Sequence, residues 1–130
     1  VIIVGGGLVG ATLALALAAH DVTSSVIDAA DLDKTAEAGF DGRASAIASA
    51  SVRMLRAIGV LDRIEAGGCP IRKIEVSDGY AAPSLDFDSA AAEGEPLGVM
   101  FENRVLRAAL IAAMRAESRI RLIAPARIES

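Results

Sequence analysis

Cysteine, histidine and aromatic residues are scarce in this sequence. Among 130 residues there are one cysteine, Cys69, one histidine, His20, no tryptophan and only 3% aromatic residues. A lone cysteine excludes an intrachain disulfide, which makes a cytoplasmic protein the default expectation. A lone histidine excludes a metal centre built from several histidines, and its place after a long apolar segment is typical of a helix C-terminus.

Long hydrophobic runs and clusters of basic residues are also missing. The longest apolar stretch, Leu8–Ala19, is too short to span a bilayer, and no basic segment of a signal peptide precedes it. The formal net charge is −4, and no segment concentrates lysine and arginine, which argues against a nucleic acid partner. With 53% hydrophobic residues, the composition fits one α/β domain with close-packed helices.

The most informative feature present is a glycine-rich turn between a predicted strand and a predicted helix. Val1–Val4 is a run of β-branched residues suited to a strand buried on both faces, and Leu8–Ala19 is apolar almost all round, as in a helix buried against a sheet. The residues between them match the G-x-G-x-x-G pattern of dinucleotide-binding proteins, and this context makes the match specific. The residues of the motif are Gly5, Gly6, Gly7, Leu8, Val9 and Gly10.

Each glycine of the motif has a physical role in such a turn. Gly5 permits the tight change of direction, Gly7 lets a pyrophosphate approach the backbone, and Gly10 lets the helix pack closely on the sheet. The free N–H groups and the dipole at the helix start favour the negative charge of the phosphates. The alternative is a glycine turn that binds nothing.

An acidic residue ends the second predicted strand, Val22–Asp28. Asp28 lies 18 residues after Gly10, close to the spacing at which an acid accepts hydrogen bonds from the adenosine ribose. A carboxylate here would repel a 2′-phosphate, so NADP is disfavoured at this site. The motif leaves the choice between FAD and NAD open, and the alternative for Asp28 is a solvated strand end.

A second informative segment is Phe40–Ala48, in which Arg43 follows Gly42 and precedes a predicted helix, Ser45–Ile58. An arginine after a flexible glycine can fold back over a diphosphate, because its planar fork suits phosphate oxygens. The alternative is a surface arginine or a local ion pair with Asp41.

The remaining pattern predicts an α/β fold: a three-layer, Rossmann-like FAD/NAD(P)-binding domain with a parallel sheet and a small antiparallel β element. Its further predicted elements are a helical turn at Lys34–Ala38, a helix at Leu61–Ala66, antiparallel strands at Ile71–Ser77 and Ser84–Asp88, a loop at Ala90–Gly98, a helix at Asn103–Glu117 with Leu106, Leu110 and Met114 on one face, and a parallel strand at Arg119–Ala124.

Three segments together resemble a known family. Val4–Gly10, Phe40–Ala48 and Glu102–Leu106 are similar to the FAD-dependent aromatic hydroxylases of ubiquinone biosynthesis, of the 2-octaprenyl-6-methoxyphenol hydroxylase type, within the flavoprotein monooxygenases that include p-hydroxybenzoate hydroxylase. The resemblance covers essentially the whole chain, and the Asp-Gly-Arg-Ala part is its specific element.

The resemblance implies site roles that the pattern alone does not give. The glycine turn would hold the FAD pyrophosphate and Asp28 the adenosine ribose, although most members carry Glu at that position. Arg43 would contact the diphosphate or the ribityl region, with Ala44 and Ser45 nearby. Asn103 corresponds to a polar residue that reaches the cofactor from a helix start; its alternative is an ordinary N-cap. No residue is assigned as a catalytic acid or base, and no metal site is expected.

The resemblance also implies partners and a location. The full-length protein would use NAD(P)H and O2 to hydroxylate a polyprenyl phenol. It would be cytoplasmic, with peripheral attachment to the inner membrane, membership of a biosynthetic complex and homo-oligomerisation left open. Because residue 1 is not Met and residues 126–130 read as the start of a strand, we expect the N-terminal part of a longer FAD-binding domain, inactive alone. An NAD-dependent dehydrogenase and a fragment that only binds nucleotide remain alternatives.

Overall fold

A computed structural model describes residues 1–37, 39–79, 85–91 and 94–129. Short 3₁₀ segments lie at Leu61–Arg63, Glu65–Gly67 and Ser89–Ala91. In chain order the other elements are β1 (Ile2–Val4), α1 (Leu8–Ala18), β2 (Ser24–Ile27), α2 (Leu32–Glu37), β3 (Ala44–Ala48), α3 (Ser49–Ala57), β4 (Cys69–Ile71), β5 (Lys73–Val76), β6 (Leu85–Asp88), β7 (Gly98–Glu102), α4 (Asn103–Ala116) and β8 (Ile120–Ile123).

A parallel sheet of order β1-β2-β8 carries the nucleotide-binding motif. Ile3 pairs with Val26 and Val26 with Leu122, so these residues share one face of the sheet. Helix α1 lies on that face through small side chains, since Ala11 and Ala14 are buried. Helix α4 packs beside α1 and buries Leu106, Leu110 and Met114, which confirms the predicted apolar face. The predicted α/β class with a parallel sheet is confirmed.

Two antiparallel sheets complete the architecture. One has the order β3-β7-β4, and the other is the pair β5-β6, in which Lys73 lies opposite Asp88 and Val76 opposite Leu85. The predicted antiparallel pair is therefore confirmed, with Gly79 in the left-handed region at the turn. The predicted start of its second strand, Ser84, lies outside the described residues.

The predicted helix at Ser45–Ile58 is wrong in its first turn. Residues 44–48 form strand β3, and the helix begins only at Ser49. The cause is the pairing of β3 with β7, a strand that the sequence analysis did not predict and partly placed in a loop. Gly98 makes this pairing possible, because a Cβ atom there would lie 2.5 Å from the Ile47 carbonyl oxygen. In this alanine-rich segment, the pairing of β3 with β7 outweighs the intrinsic helical propensity of the residues.

The predicted burial of β1 and α1 is also wrong in part. Ile2 and Val4 are each 71% exposed, and only Ile3 of β1 is buried. On α1, Val9 is 84% exposed and Leu13 is exposed as well. Among the described residues, α1 covers only the Ile3 face of the sheet, so the opposite faces of both elements contact solvent.

Smaller differences concern boundaries. The predicted helical turn is helix α2, which begins two residues earlier, and Ala38 lies outside the described residues. The predicted helix Leu61–Ala66 is a pair of 3₁₀ segments, and residues 126–129 form no strand. In the described part of the chain, no helix has the length and apolar character needed to cross a bilayer.

Candidate functional site

The glycine turn has the geometry that its sequence predicts. Gly5 adopts a φ of 97°, which side chains strongly disfavour, and its N–H donates to the Ile27 carbonyl at 2.8 Å. A Cβ atom on Gly10 would lie 1.9 Å from the Gly5 carbonyl oxygen, so α1 can reach this close only with glycine at that position. Both residues are required by backbone geometry, whether or not a ligand is bound.

The start of α1 is open to an anion. Gly7 is the N-cap residue and has no side chain that could cap the backbone N–H groups of the helix. The first intrahelical hydrogen bond runs from the Ala11 N–H to the Gly7 carbonyl at 2.9 Å. The N–H groups of Leu8 and Val9 precede that bond and have no intrahelical acceptor. A Cβ atom on Gly7 would meet nothing within 4 Å. The space beside Gly7 can therefore admit a phosphate next to free backbone donors.

Asp28 is bonded to the turn itself. Its Oδ2 atom accepts the Gly6 N–H at 2.5 Å, and its Oδ1 atom accepts the Ala30 N–H at 2.7 Å. Each carboxylate oxygen can accept a further hydrogen bond. The structure thus joins the acid and the glycine turn in one site, as predicted, while the role of Asp28 at a ribose stays a prediction.

Arg43 lies in the local ion pair that the sequence analysis gave as its alternative. Its Nη2 and Nε atoms donate to Asp41 Oδ2 at 2.8 and 3.1 Å, and its side chain is 69% exposed. The hydrogen bond from the Arg43 side chain is the largest cause that lowers the pKa of Asp41 to about 2. Arg43 precedes a strand and not a helix, which corrects the predicted local geometry. Its contact with a diphosphate stays a prediction.

Ser45 and Asn103 are brought together by the pairing of β3 with β7. The Ser45 hydroxyl donates to Asn103 Oδ1 at 2.6 Å, and the Asn103 N–H donates to the Arg43 carbonyl at 3.0 Å. The N-cap residue of α4 is Glu102, so the alternative reading of Asn103 as an N-cap is wrong. Ala44 lies opposite Glu102 in the same ladder. The start of α4 therefore fixes the backbone of the Asp-Gly-Arg segment.

One residue of this site, Arg107, was missed by the sequence analysis. Its side chain is only 18% exposed, and its Nη1 and Nη2 atoms donate to Asp41 Oδ2 at 3.2 and 3.3 Å. Its Nε atom is buried and has no hydrogen-bond partner among the described residues. The sequence could have identified Arg107 by its spacing, because it lies four residues after Asn103 and so on the same side of α4.

Arg107 links the glycine turn to the Asp-Gly-Arg segment. With Gly6, Gly7 and Asp28 it lines a cavity of about 40 Å³ between the turn and α4. Both predicted site segments therefore meet at one edge of the fold. Open space at Gly7 and the free N–H groups at the start of α1 form a donor set that fits the diphosphate of a dinucleotide. No group of three or more metal-binding side chains occurs within the described ranges.

Comparison with known proteins places this chain in a family. Residues 1–121 match the family model described as an FAD binding domain. The chain is 46% identical over 128 residues to the ubiquinone hydroxylase UbiL of Rhodospirillum rubrum, covering 98% of this chain and 30% of that protein. It is 40% identical over 125 residues to the 3-demethoxyubiquinol 3-hydroxylase of Escherichia coli strain K12, covering 95% of this chain and 32% of that protein.

A solved structure with a similar fold is also described as an FAD-dependent enzyme. The chain superimposes on PqsL, described as a probable FAD-dependent monooxygenase from Pseudomonas aeruginosa, with a TM-score of 0.72 and 25% identity. The match covers 99% of this chain and 33% of PqsL. The chain thus spans about a third of the length of the proteins that it matches. Because the family model covers the glycine turn, Asp28, the Asp-Gly-Arg segment and all of α4, this chain belongs to the FAD binding domain family.

Proposed function

We propose that this chain is the nucleotide-binding part of an FAD-dependent aromatic hydroxylase of ubiquinone biosynthesis. The observation that carries the proposal is the 46% identity to a ubiquinone hydroxylase over 98% of this chain. A second relative at 40% identity is also a hydroxylase of a ubiquinol precursor. The open approach at Gly7 supports the proposal independently, because it leaves room for the diphosphate that FAD would place there.

The proposal assigns the cofactor contacts to the glycine turn, to Asp28 and to the residues around Arg43 and Asn103. The turn of Gly5, Gly6, Gly7, Leu8, Val9 and Gly10 would receive the diphosphate at the start of α1, and Asp28 would accept hydrogen bonds from the ribose hydroxyls. The exposed guanidinium group of Arg43 would leave Asp41 and donate hydrogen bonds to the diphosphate. Ala44, Ser45 and Asn103 would border the cofactor where β3 meets α4.

The chemistry belongs to the flavin, which, once bound and reduced by NAD(P)H, supplies activation of O2 and transfer of one oxygen atom to a phenol ring. The described residues bind and orient the cofactor, and we assign none of them as an acid or base. Since the chain spans 30% of UbiL, the proposal assigns the flavin-ring and substrate contacts to residues beyond it. The isolated chain should therefore not oxidise NAD(P)H.

The proposed substrate class also suggests a location. The proposed enzyme would be cytoplasmic, as the single cysteine suggests, and would meet its substrate at the inner membrane surface, because a polyprenyl phenol partitions into the bilayer. Sedimentation of the full-length protein with anionic lipid vesicles tests this attachment, and size-exclusion chromatography with light scattering tests for the homo-oligomer. Protein that stays in the supernatant would remove the membrane part of the proposal.

The cofactor and the reaction are tested on the full-length protein. Purified protein should show flavin absorbance, release FAD on denaturation, and consume NAD(P)H faster when a prenylated phenol is added. Product analysis should find one oxygen atom from O2 attached to a ring carbon as a hydroxyl group. Release of NAD without flavin would instead favour the dehydrogenase alternative and overturn the proposal.

A further inference from the structure

Asp41 is shared by two arginines that differ in burial. Its Oδ2 atom accepts from Arg43 Nη2 at 2.8 Å and from Arg107 Nη1 at 3.2 Å. Arg43 is 69% exposed, whereas Arg107 is 18% exposed and lines the cavity below the glycine turn. The two guanidinium groups therefore share one carboxylate oxygen, and only the Arg43 side chain is exposed enough to turn away from it.

The backbone around Asp41 and Arg43 is held independently of this ion pair. Gly42 has a φ of 78°, and the Asp41 Oδ1 atom accepts the Arg43 N–H at 3.1 Å, which closes a tight turn. The Arg43 carbonyl accepts the N–H of Asn103 at the start of α4. The Arg43 side chain can thus change partner while its backbone stays in place.

We propose that Arg107 is a positioning residue that retains Asp41 when Arg43 turns to the cofactor diphosphate. The inference rests on the proposed function, since it requires a diphosphate at the turn. A diphosphate and an unpaired Asp41 carboxylate would repel each other at close range. Arg107 neutralises that carboxylate from α4, so that the Arg43 fork becomes available to phosphate without leaving a bare negative charge beside it.

Substitution of Arg107 should therefore weaken FAD binding through Asp41. We expect Arg107→Gln to raise the Kd of the full-length apoprotein for FAD by about fivefold, the upper end for an ion pair near the surface. Arg107→Lys, which keeps the charge, should stay within about twofold of wild type. The double variant Asp41→Asn/Arg107→Gln should recover the affinity of Asp41→Asn, because no carboxylate then needs a partner.

Titration of each apoprotein by quenching of FAD fluorescence measures these affinities, with thermal unfolding of the same apoproteins in parallel. The control is Asp33→Asn, which removes an exposed ion pair between α2 and the far end of α4, where Arg115 Nη2 lies 2.6 Å from Asp33 Oδ1. This control should keep its FAD affinity and lose little or no stability.

Three results would overturn the inference. If Asp41→Asn does not restore the affinity of Arg107→Gln, Arg107 binds the cofactor directly or acts only in folding. If Arg107→Gln does not fold, Asp41→Asn carries the test alone, and a fivefold loss of FAD affinity in that variant contradicts the proposal. Wild-type protein that binds no FAD would overturn the proposed function and this inference together, which separates the two kinds of failure.

Discussion

The Asp28 carboxylate accepts a hydrogen bond from the Gly6 N–H at 2.5 Å, so the acidic residue that follows β2 holds the glycine turn at the start of α1. Its other oxygen receives the Ala30 N–H, which fixes the carboxylate from the opposite side. The residue proposed to bind the ribose is therefore also a structural part of the diphosphate site. A change at Asp28 should affect the folded chain before any ligand is added.

Asp28→Asn tests this double role. The amide nitrogen cannot accept a hydrogen bond, so one of the two backbone donors loses its acceptor. We expect the free energy of unfolding of the cofactor-free protein to fall by roughly 1–3 kcal/mol, the cost of an unsatisfied donor. Urea unfolding measures it, with Asp62→Asn as the control at an exposed aspartate. Equal stability of Asp28→Asn and wild type would contradict a structural role.

Two glycines of the motif should respond differently to alanine. Gly10→Ala puts a methyl group against the Gly5 carbonyl oxygen, and we expect it to destabilise the fold by roughly 1–3 kcal/mol or more. Gly7→Ala fills open space and should leave the unfolding midpoint nearly unchanged, while the methyl group obstructs the proposed diphosphate and lowers FAD affinity. Thermal unfolding and FAD titration separate the two effects. Gly67→Ala, at another unobstructed position, is the control. Unchanged FAD affinity in Gly7→Ala would remove the diphosphate from this position.

Arg43→Ala tests the second contact with the diphosphate. Loss of a hydrogen bond to a charged group should weaken FAD binding by roughly 1.5–3 kcal/mol. Arg43→Lys should also bind more weakly, because an ammonium group cannot reproduce the planar fork. Fluorescence titration of the apoproteins measures both. If both variants bind FAD like wild type, Arg43 serves only its ion pair with Asp41.

The ion pair of Asp41 sets an expected pH dependence. The pKa of Asp41 falls from 3.8 to about 2, chiefly through the hydrogen bond from the Arg43 side chain. Because the folded state has the lower pKa, the stabilisation is complete above about pH 5 and is lost as the pH falls through 3.8 towards 2. The difference in unfolding free energy between wild type and Asp41→Asn should therefore be constant from about pH 5 to 8 and shrink below about pH 4. Urea unfolding across this range checks it, and a difference that changes above about pH 5 would contradict the assignment.

The sequence predicted those parts of the site in which local chemistry dictates the structure. The turn from Gly5 to Gly10 and the acid at Asp28 follow from short-range requirements: a positive φ, a close helix and a strand end. The stripe of Leu106, Leu110 and Met114 was likewise readable, because helical periodicity alone puts these residues on one face.

Strand β3 and residue Arg107 were not predictable in this way. Residues 44–48 have the composition of a helix and become a strand only because β7, which lies 50 to 58 positions later in the chain, pairs with them. Arg107 reads as a surface residue of a helix until α4 packs beside the turn and brings its guanidinium group within 3.2 Å of Asp41.

Sequence alone thus determined the nucleotide-binding motif, because glycine conformations and helix periodicity are local properties of the chain, and the resemblance of three segments indicated its family. Only the tertiary structure decided which charged groups meet at that motif. Asp41 and Arg107 are 66 residues apart in sequence, and the packing of separate elements, not any local preference, gives them one shared position.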